Sequence, residues 1–143
     1  MGSTISTISI MGAGWLGLPL GKNLAAKGYQ VKGSTTQPDR LPLIAQCGME
    51  AFEIVVKDVV EGSKIDRFFD AYLLIINFPP NRRDPDIEGQ FLRQLIATTT
   101  SALAAGVEHF LFVSSTGVYG RQDKLVTEAD VPMPATSSGR ALL

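Results

Sequence analysis

The sequence predicts an α/β fold in which a doubly wound parallel sheet is covered by helices on both faces. Three observations lead there. Short β-branched or apolar segments alternate with helix-patterned ones along most of the chain; the strand segments are near-continuous apolar runs such as "AYLLIIN"; and Gly12, Gly14 and Gly17 stand where the first strand gives way to the first helix. Alternation of this kind places helices on the faces of a parallel sheet, and strands buried on both faces have no need of a polar side. The expected strand order is 3-2-1-4-5.

Each element has its own signal. Ile5 to Met11 is a β-branched run, and Leu16, Leu20, Leu24 and Ala25 then follow helical spacing until Gly28 can stop the helix. Pro19 falls in the first turn, where backbone N–H groups have no intrahelical partner and proline loses nothing. Tyr29 to Ser34 reads as a second strand, Pro38 to Gln46 as a short helix ended by Gly48, and Glu50 to Val56 as a third strand. The polar and aromatic piece from Glu61 to Asp70 has no clear pattern. "AYLLIIN", Ala71 to Asn77, is the fourth strand, and Pro79 and Pro80 end it. The next helix is expected over Asp86 to Ala105, with Asp84 as its cap, Pro85 at the first helical position, Asp86 complementing the dipole and Gly106 after the last turn. His109 to Val113 is the fifth strand; a turn-rich loop and a few helix-prone residues follow.

Bulk properties exclude some roles. A chain of 143 residues with 45% hydrophobic content fits one ordinary domain, residues 1–143. A net charge of -1 over 13 basic and 14 acidic residues gives no general attraction to nucleic acid or anionic lipid. The apolar runs are far shorter than the ~20 residues of a membrane span, and no basic segment with an apolar signal core opens the chain. The expectation is a soluble, cytoplasmic protein that binds a small molecule, with neither nucleic acid nor membrane as partner. Cys47 and His109 are each the sole residue of their type, so no intrachain disulfide and no zinc cluster is expected, and both read as structural.

The glycine loop carries the first functional signal. A diphosphate-binding turn between strand and helix needs a tight bend, close backbone approach to the ligand and close packing of helix on strand; Gly12, Gly14 and Gly17 are spaced for those tasks. The helix start near Trp15 and Leu16 would aim unpaired N–H groups at the phosphates. Trp15 itself reads as a packing residue. In such units an acidic side chain about twenty residues on usually bonds the adenosine ribose, and here it is missing. Ser34, Thr35, Thr36 and Gln37, with Arg40 one turn later, are instead suited to the 2′-phosphate of NADP, which is favoured over NAD. The bland alternative makes Arg40 a solvated helix residue.

The second signal is "FLFVSSTGVYG", Phe110 to Gly120, which sets hydroxyls at the carboxyl end of the fifth strand, where ligands bind in open α/β sheets. With the glycine loop it resembles the extended short-chain dehydrogenase/reductase superfamily, the NAD-dependent epimerase/dehydratases, over essentially the whole chain. The resemblance implies a Rossmann fold, an NAD(P) cofactor and hydride transfer on a hydroxyl or carbonyl of a small metabolite or nucleotide-sugar. It makes Ser115 the serine that bonds the reacting oxygen. It implies cofactor contacts from Asn77, Phe78, Pro79 and Ser114, and an approach of Asp58 to the adenine, against a reading of Asp58 as an ordinary turn residue.

The family's tyrosine and lysine should follow the loop "VTEADVPMPAT", but the sequence reads "SSGRALL". Ser138 stands in the tyrosine's place and Leu142 in the lysine's. A serine hydroxyl is a far poorer acid than a phenol, and leucine has no charge. This resembles the atypical branch of the superfamily. Arg140 is out of register, and Tyr119 reads as a packing or substrate-loop residue. Arg82 and Arg83 could meet an acidic ligand, although beside Asp84 and Asp86 they read more simply as a self-compensated loop.

Family members run to about twice this length, so the chain is expected to be the N-terminal part of a longer protein lacking the C-terminal strands and substrate region. A homodimer through sheet-flanking helices is common in the resembled family. Two alternatives stand beside the enzyme: a non-catalytic NAD(P)-binding sensor or regulatory module, and a β-hydroxyacid dehydrogenase, in whose pattern "VSSTGVYG" has no place.

Overall fold

The computed structural model describes residues 6–143, so Ile5, expected to begin the first strand, lies outside the described residues. The chain runs β1 (Thr7–Met11), α1 (Gly17–Ala26), β2 (Gln30–Thr35), a 3-10 turn (Pro38–Arg40), α2 (Leu41–Gln46), β3 (Glu50–Val56), β4 (Val60–Gly62) and α3 (Ile65–Phe69). It continues through β5 (Leu73–Ile76), α4 (Ile87–Ala104), β6 (His109–Phe112), a second 3-10 turn (Thr116–Tyr119) and α5 (Ser137–Leu142). The sheet order is β4-β3-β2-β1-β5-β6. Its five parallel strands reproduce the predicted order 3-2-1-4-5, and β1 sits at the centre with Ile10 opposite Gly33 on one side and Ile75 on the other.

Alternation along β1 divides the core in two. Ile8 and Ile10 join Val31, Ile44 and Met49 beneath α1 and α2, whereas Met11 joins Phe52, Phe68, Phe69 and Leu74 beneath α3 and α4. Ile10, Phe68 and Leu74 are wholly buried. Each such side chain contributes about 1.5–3 kcal/mol by leaving water. Ser9 and Lys32 share the second face, and both meet the end of α3: Ser9 Oγ donates to the Phe68 carbonyl (2.6 Å), and Lys32 Nζ donates to those of Arg67 (2.5 Å) and Asp70 (2.6 Å). These bonds satisfy carbonyls that the last turn of a helix leaves unpaired. Burial holds the Lys32 ammonium below the usual lysine range, while Asp70 and Glu50 partly offset that and Arg67 adds to it.

Four expectations need correction. The featureless piece after the third strand contains β4, which pairs antiparallel to β3, and α3. Three residues are too few to show a period, and tertiary contact decides them. The helix after β5 starts at Ile87 and is capped by Asp86, whose Oδ1 accepts from Gly89 N (3.1 Å). Asp84, read as that cap, instead closes a turn by accepting from Asp86 N (2.8 Å), which leaves Pro85 ahead of the helix. The expected helix Pro38–Gln46 is split into the 3-10 turn and α2, with Pro42 in the first turn of the latter. Finally, β6 is not covered on both sides: it is the edge strand, and Phe110, Leu111 and Phe112 are 38%, 47% and 42% exposed. Among the described residues no helix is long and apolar enough to cross a membrane.

Candidate functional site

Two cavities among the described residues bear on function, and the glycine turn opens into one of them. The first, about 490 Å³, opens over the turn from β1 to α1 and extends past the ends of β2 and β3 to the loop after β5. That volume falls within the roughly 300–1,000 Å³ of small-molecule sites.

The glycines divide the work of the turn as their spacing predicts. Gly12 has φ +103°, a conformation side chains avoid, and a Cβ there would press on the Asn77 carbonyl. A Cβ on Gly17 would collide with the Gly12 carbonyl oxygen, so the helix approaches the strand this closely only with glycine. Gly14 has open space where a Cβ would stand, which leaves its backbone free to be approached. The start of α1 carries no side-chain cap and no acid in its first turn. Leu18 N already donates to the Gly14 carbonyl (2.9 Å) and Pro19 has no N–H, so the N–H groups left to a ligand or water are those of the turn Gly14 to Leu16, with the positive end of the dipole behind them.

The loop is tied to both neighbouring strands. Gly12 N donates to Ser34 Oγ (2.9 Å), Ala13 N donates to the Ser34 carbonyl (2.7 Å), and Asn77 Nδ2 donates to the Gly12 carbonyl (3.0 Å). Ser34 is thus a brace. Its Oγ in turn donates to Met11 Sδ (3.3 Å), so the hydroxyl is engaged inside the turn although the residue lines the cavity. Thr35 Oγ1 accepts from Gln37 N in a local turn (3.1 Å). Thr36 and Arg40 remain at the cavity wall; among the described residues Arg40 forms no ion pair.

Of the residues singled out for the cofactor, Gly12, Gly14, Ser34, Thr35, Thr36, Arg40, Asn77, Phe78 and Pro79 line this cavity. Gly17 shapes it from behind. The structure does not bring the others to it. Trp15 is 90% exposed and packs against nothing, contrary to the packing role expected of it. Leu16 precedes the first turn of α1 without contributing a cap. Asp58 bonds Arg93 Nε at 3.1 Å, and Ser114 Oγ donates to the Leu142 carbonyl at 3.1 Å. Gln37 also lines it, beside Thr36, and two polar lining residues lie outside the sequence reading, Asn81 and Gln94. Gln94 Nε2 donates to the Val56 carbonyl (2.8 Å), while its Oε1 is buried with no partner. A glutamine in mid-helix gives no sign of facing the end of a strand, so only the fold could reveal it.

The second cavity, about 590 Å³, lies between the segment after β6 and the start of α5. It gathers Ser115, Ser138 and Leu142, three positions that the comparison of motifs had set apart. Ser115 Oγ accepts from Gly117 N (3.1 Å), which leaves its hydrogen free to donate elsewhere. Ser138 Oγ lies 3.3 Å from Thr136 Oγ1, which caps α5 by accepting from Gly139 N. Tyr119 lines neither cavity. The loop after β5 joins the two sites: Asn81 lines the first and the next residue, Arg82, the second.

No protein-family model matches the chain. It is 35% identical over 137 residues to Protein YeeZ of Escherichia coli (strain K12), a match covering 94% of this chain and 50% of the relative, so the chain spans about half the length of the curated relatives it matches. Among solved structures it is similar to the UDP-glucose 4-epimerase of Thermotoga maritima with UDP-glucose, with a TM-score of 0.74 at 17% identity over 95% of this chain and 47% of that one. It is likewise similar to the UDP-glucuronic acid 4-epimerase of Bacillus cereus in complex with NAD, with a TM-score of 0.66 at 18% identity over 95% of this chain and 48% of that one. At these identities the likeness shows a shared fold, the Rossmann-type doubly wound sheet.

Proposed function

We propose that the chain is the NAD(P)-binding part of an oxidoreductase or epimerase/dehydratase-like protein that transfers hydride to or from a hydroxyl or carbonyl of a small molecule. One observation carries the reading: the uncapped start of α1, closed by Gly12 and Gly17, opens onto a cavity of about 490 Å³ at the ligand edge of the sheet. The residues fit a dinucleotide. Gly14 leaves the close approach that a diphosphate needs, and the orphaned Gln94 Oε1 offers an acceptor at the adenine end, where buried polar atoms otherwise find partners. Thr36 and Arg40 hold the 2′-phosphate of NADP, Arg40 by a charge-assisted bond, and no carboxylate lines the wall to bond the ribose of NAD. The fold neighbour solved with NAD supports the cofactor class.

The nicotinamide, when bound, supplies the hydride donor or acceptor. The chain's residues do the rest. Ser115 donates its free hydroxyl hydrogen to the substrate oxygen and so orients it and stabilises charge that develops there. Ser138 extends the same row of hydroxyls, but neither serine has the acidity of a phenol. A second reading follows from Ser138 and Leu142: a non-catalytic module that reports nicotinamide redox state to a partner. Calorimetric titration with NADPH and NADH tests the first premise, and the expected result is binding with NADPH preferred; no heat with either overturns both readings. Exchange of label into the nicotinamide with a panel of alcohols, lost in Ser115→Ala, supports the enzyme. Tight binding without exchange supports the sensor.

A further inference from the structure

We propose that the second cavity takes a substrate bearing an anionic oxygen group, a phosphate or a carboxylate, seated between the guanidinium groups of Arg82 and Arg121. This deepens the function proposed above and rests on its reading of that cavity as the substrate site. Arg82 comes from the loop after β5 and Arg121 from the segment after the second 3-10 turn, residues far apart in sequence that the fold brings to one concave wall. No acidic residue lines it.

What sets this wall apart is two arginines on one concavity; among the described residues Arg40 and Arg83 also form no ion pair, but Arg40 stands alone at the first cavity and Arg83 lines neither. Arg67, Arg93 and Arg140 each meet a carboxylate, on Glu50, on Asp58 and Asp86, and on Glu88. Among the described residues Arg82 and Arg121 form no ion pair. The self-compensated loop expected for Arg82 does not form, because the adjacent acids are engaged elsewhere. Asp84 accepts from Asp86 N and Gln90 Nε2, and Asp86 accepts from Gly89 N and Arg93. Two guanidinium groups, charged at any working pH, thus share a concavity with nothing to neutralise them. An anionic oxygen group there accepts paired N–H bonds from either fork. Ser115, on the same wall, then faces the part of the substrate that reacts.

The test uses the full chain saturated with NADP, so that the glycine loop is occupied, and follows inorganic phosphate and acetate separately by NMR line broadening. Wild type is expected to retain at least one anion. The double variant Arg82→Gln/Arg121→Gln should weaken it at least tenfold, while Arg83→Gln, which lines neither cavity, should leave it within twofold. Retention of neither anion, or an equal loss in Arg83→Gln, overturns the proposal. NADP affinity in the double variant should match wild type. If NADP fails to bind but arginine-dependent anion binding persists, the cofactor reading falls and the anion site stands; the opposite pattern removes the anion site alone.

Discussion

Helices α1 and α4 both begin near the carboxyl edge of the sheet, yet they begin differently. At α4 the chain supplies its own acceptor: Asp86 bonds Gly89 N, and Glu88 adds a negative charge in the first turn. At α1 it supplies none, and Gly12, Gly14 and Gly17 stand where the chain bends, lies open or packs most closely. A capped helix end is finished by folding, whereas an uncapped one facing a cavity is left for a ligand.

The hardest blow to that contrast is Gly17→Val. Its side chain must displace the Gly12 carbonyl, so dinucleotide affinity should fall more than 100-fold, with overpacking costing roughly 1–3 kcal/mol of stability. Calorimetry and a urea melt read both, and an affinity within threefold of wild type would place the ligand elsewhere. Leu16→Asp transposes the α4 solution onto α1. A resident carboxylate should lower dinucleotide affinity about tenfold while raising stability by about 0.3–1 kcal/mol through the dipole. Should binding survive intact, the α1 amides are not the seat.

Arg40→Gln sharpens the cofactor question: the ratio of NADPH to NADH affinity should drop about 10- to 100-fold, in line with the roughly 1.5–3 kcal/mol of a charged hydrogen bond, and an unchanged ratio would make Arg40 a bystander. Asp86→Ala, the mirror experiment, should cost about 1 kcal/mol in thermal unfolding with dinucleotide affinity untouched. A loss of affinity there would erase the distinction between the two helix ends.

The smallest effect concerns Lys32. Because burial lowers its pKa in the folded state, the unfolded chain holds more protons between the folded value and 10.5, so stability should rise with pH across that window. Urea midpoints of wild type minus Lys32→Met should therefore increase from pH 8 to pH 10. A flat or falling difference would show that the two carbonyl bonds outweigh desolvation.

The first cavity was largely legible because its requirements are written in residue type. A backbone that must bend at φ +103° or pass within contact of another chain segment admits glycine, and the sequence shows glycine there. The parallel core was legible for a similar reason, since Leu73–Ile76 has no polar face. Tertiary pairing hid other features. Whether Ser34 faces a ligand or braces Gly12 depends on a neighbour 22 residues away, and whether Arg82 finds Asp84 depends on Gln90 reaching that carboxylate first. Trp15 misled because a large aromatic is ordinarily buried, and here nothing covers it. The gathering of Ser115, Ser138 and Arg121 around one space is a property of how α5 meets the segment after β6, which no local pattern encodes.

The stitching of Gly12 and Ala13 to Ser34 on one side and to Asn77 on the other has a consequence for recognition. Glycine is the residue with the most freedom to lose, and here that freedom is surrendered while the chain folds. An arriving ligand finds the seat already shaped and has little ordering left to impose, so its attraction to the amides is spent on holding rather than on moulding.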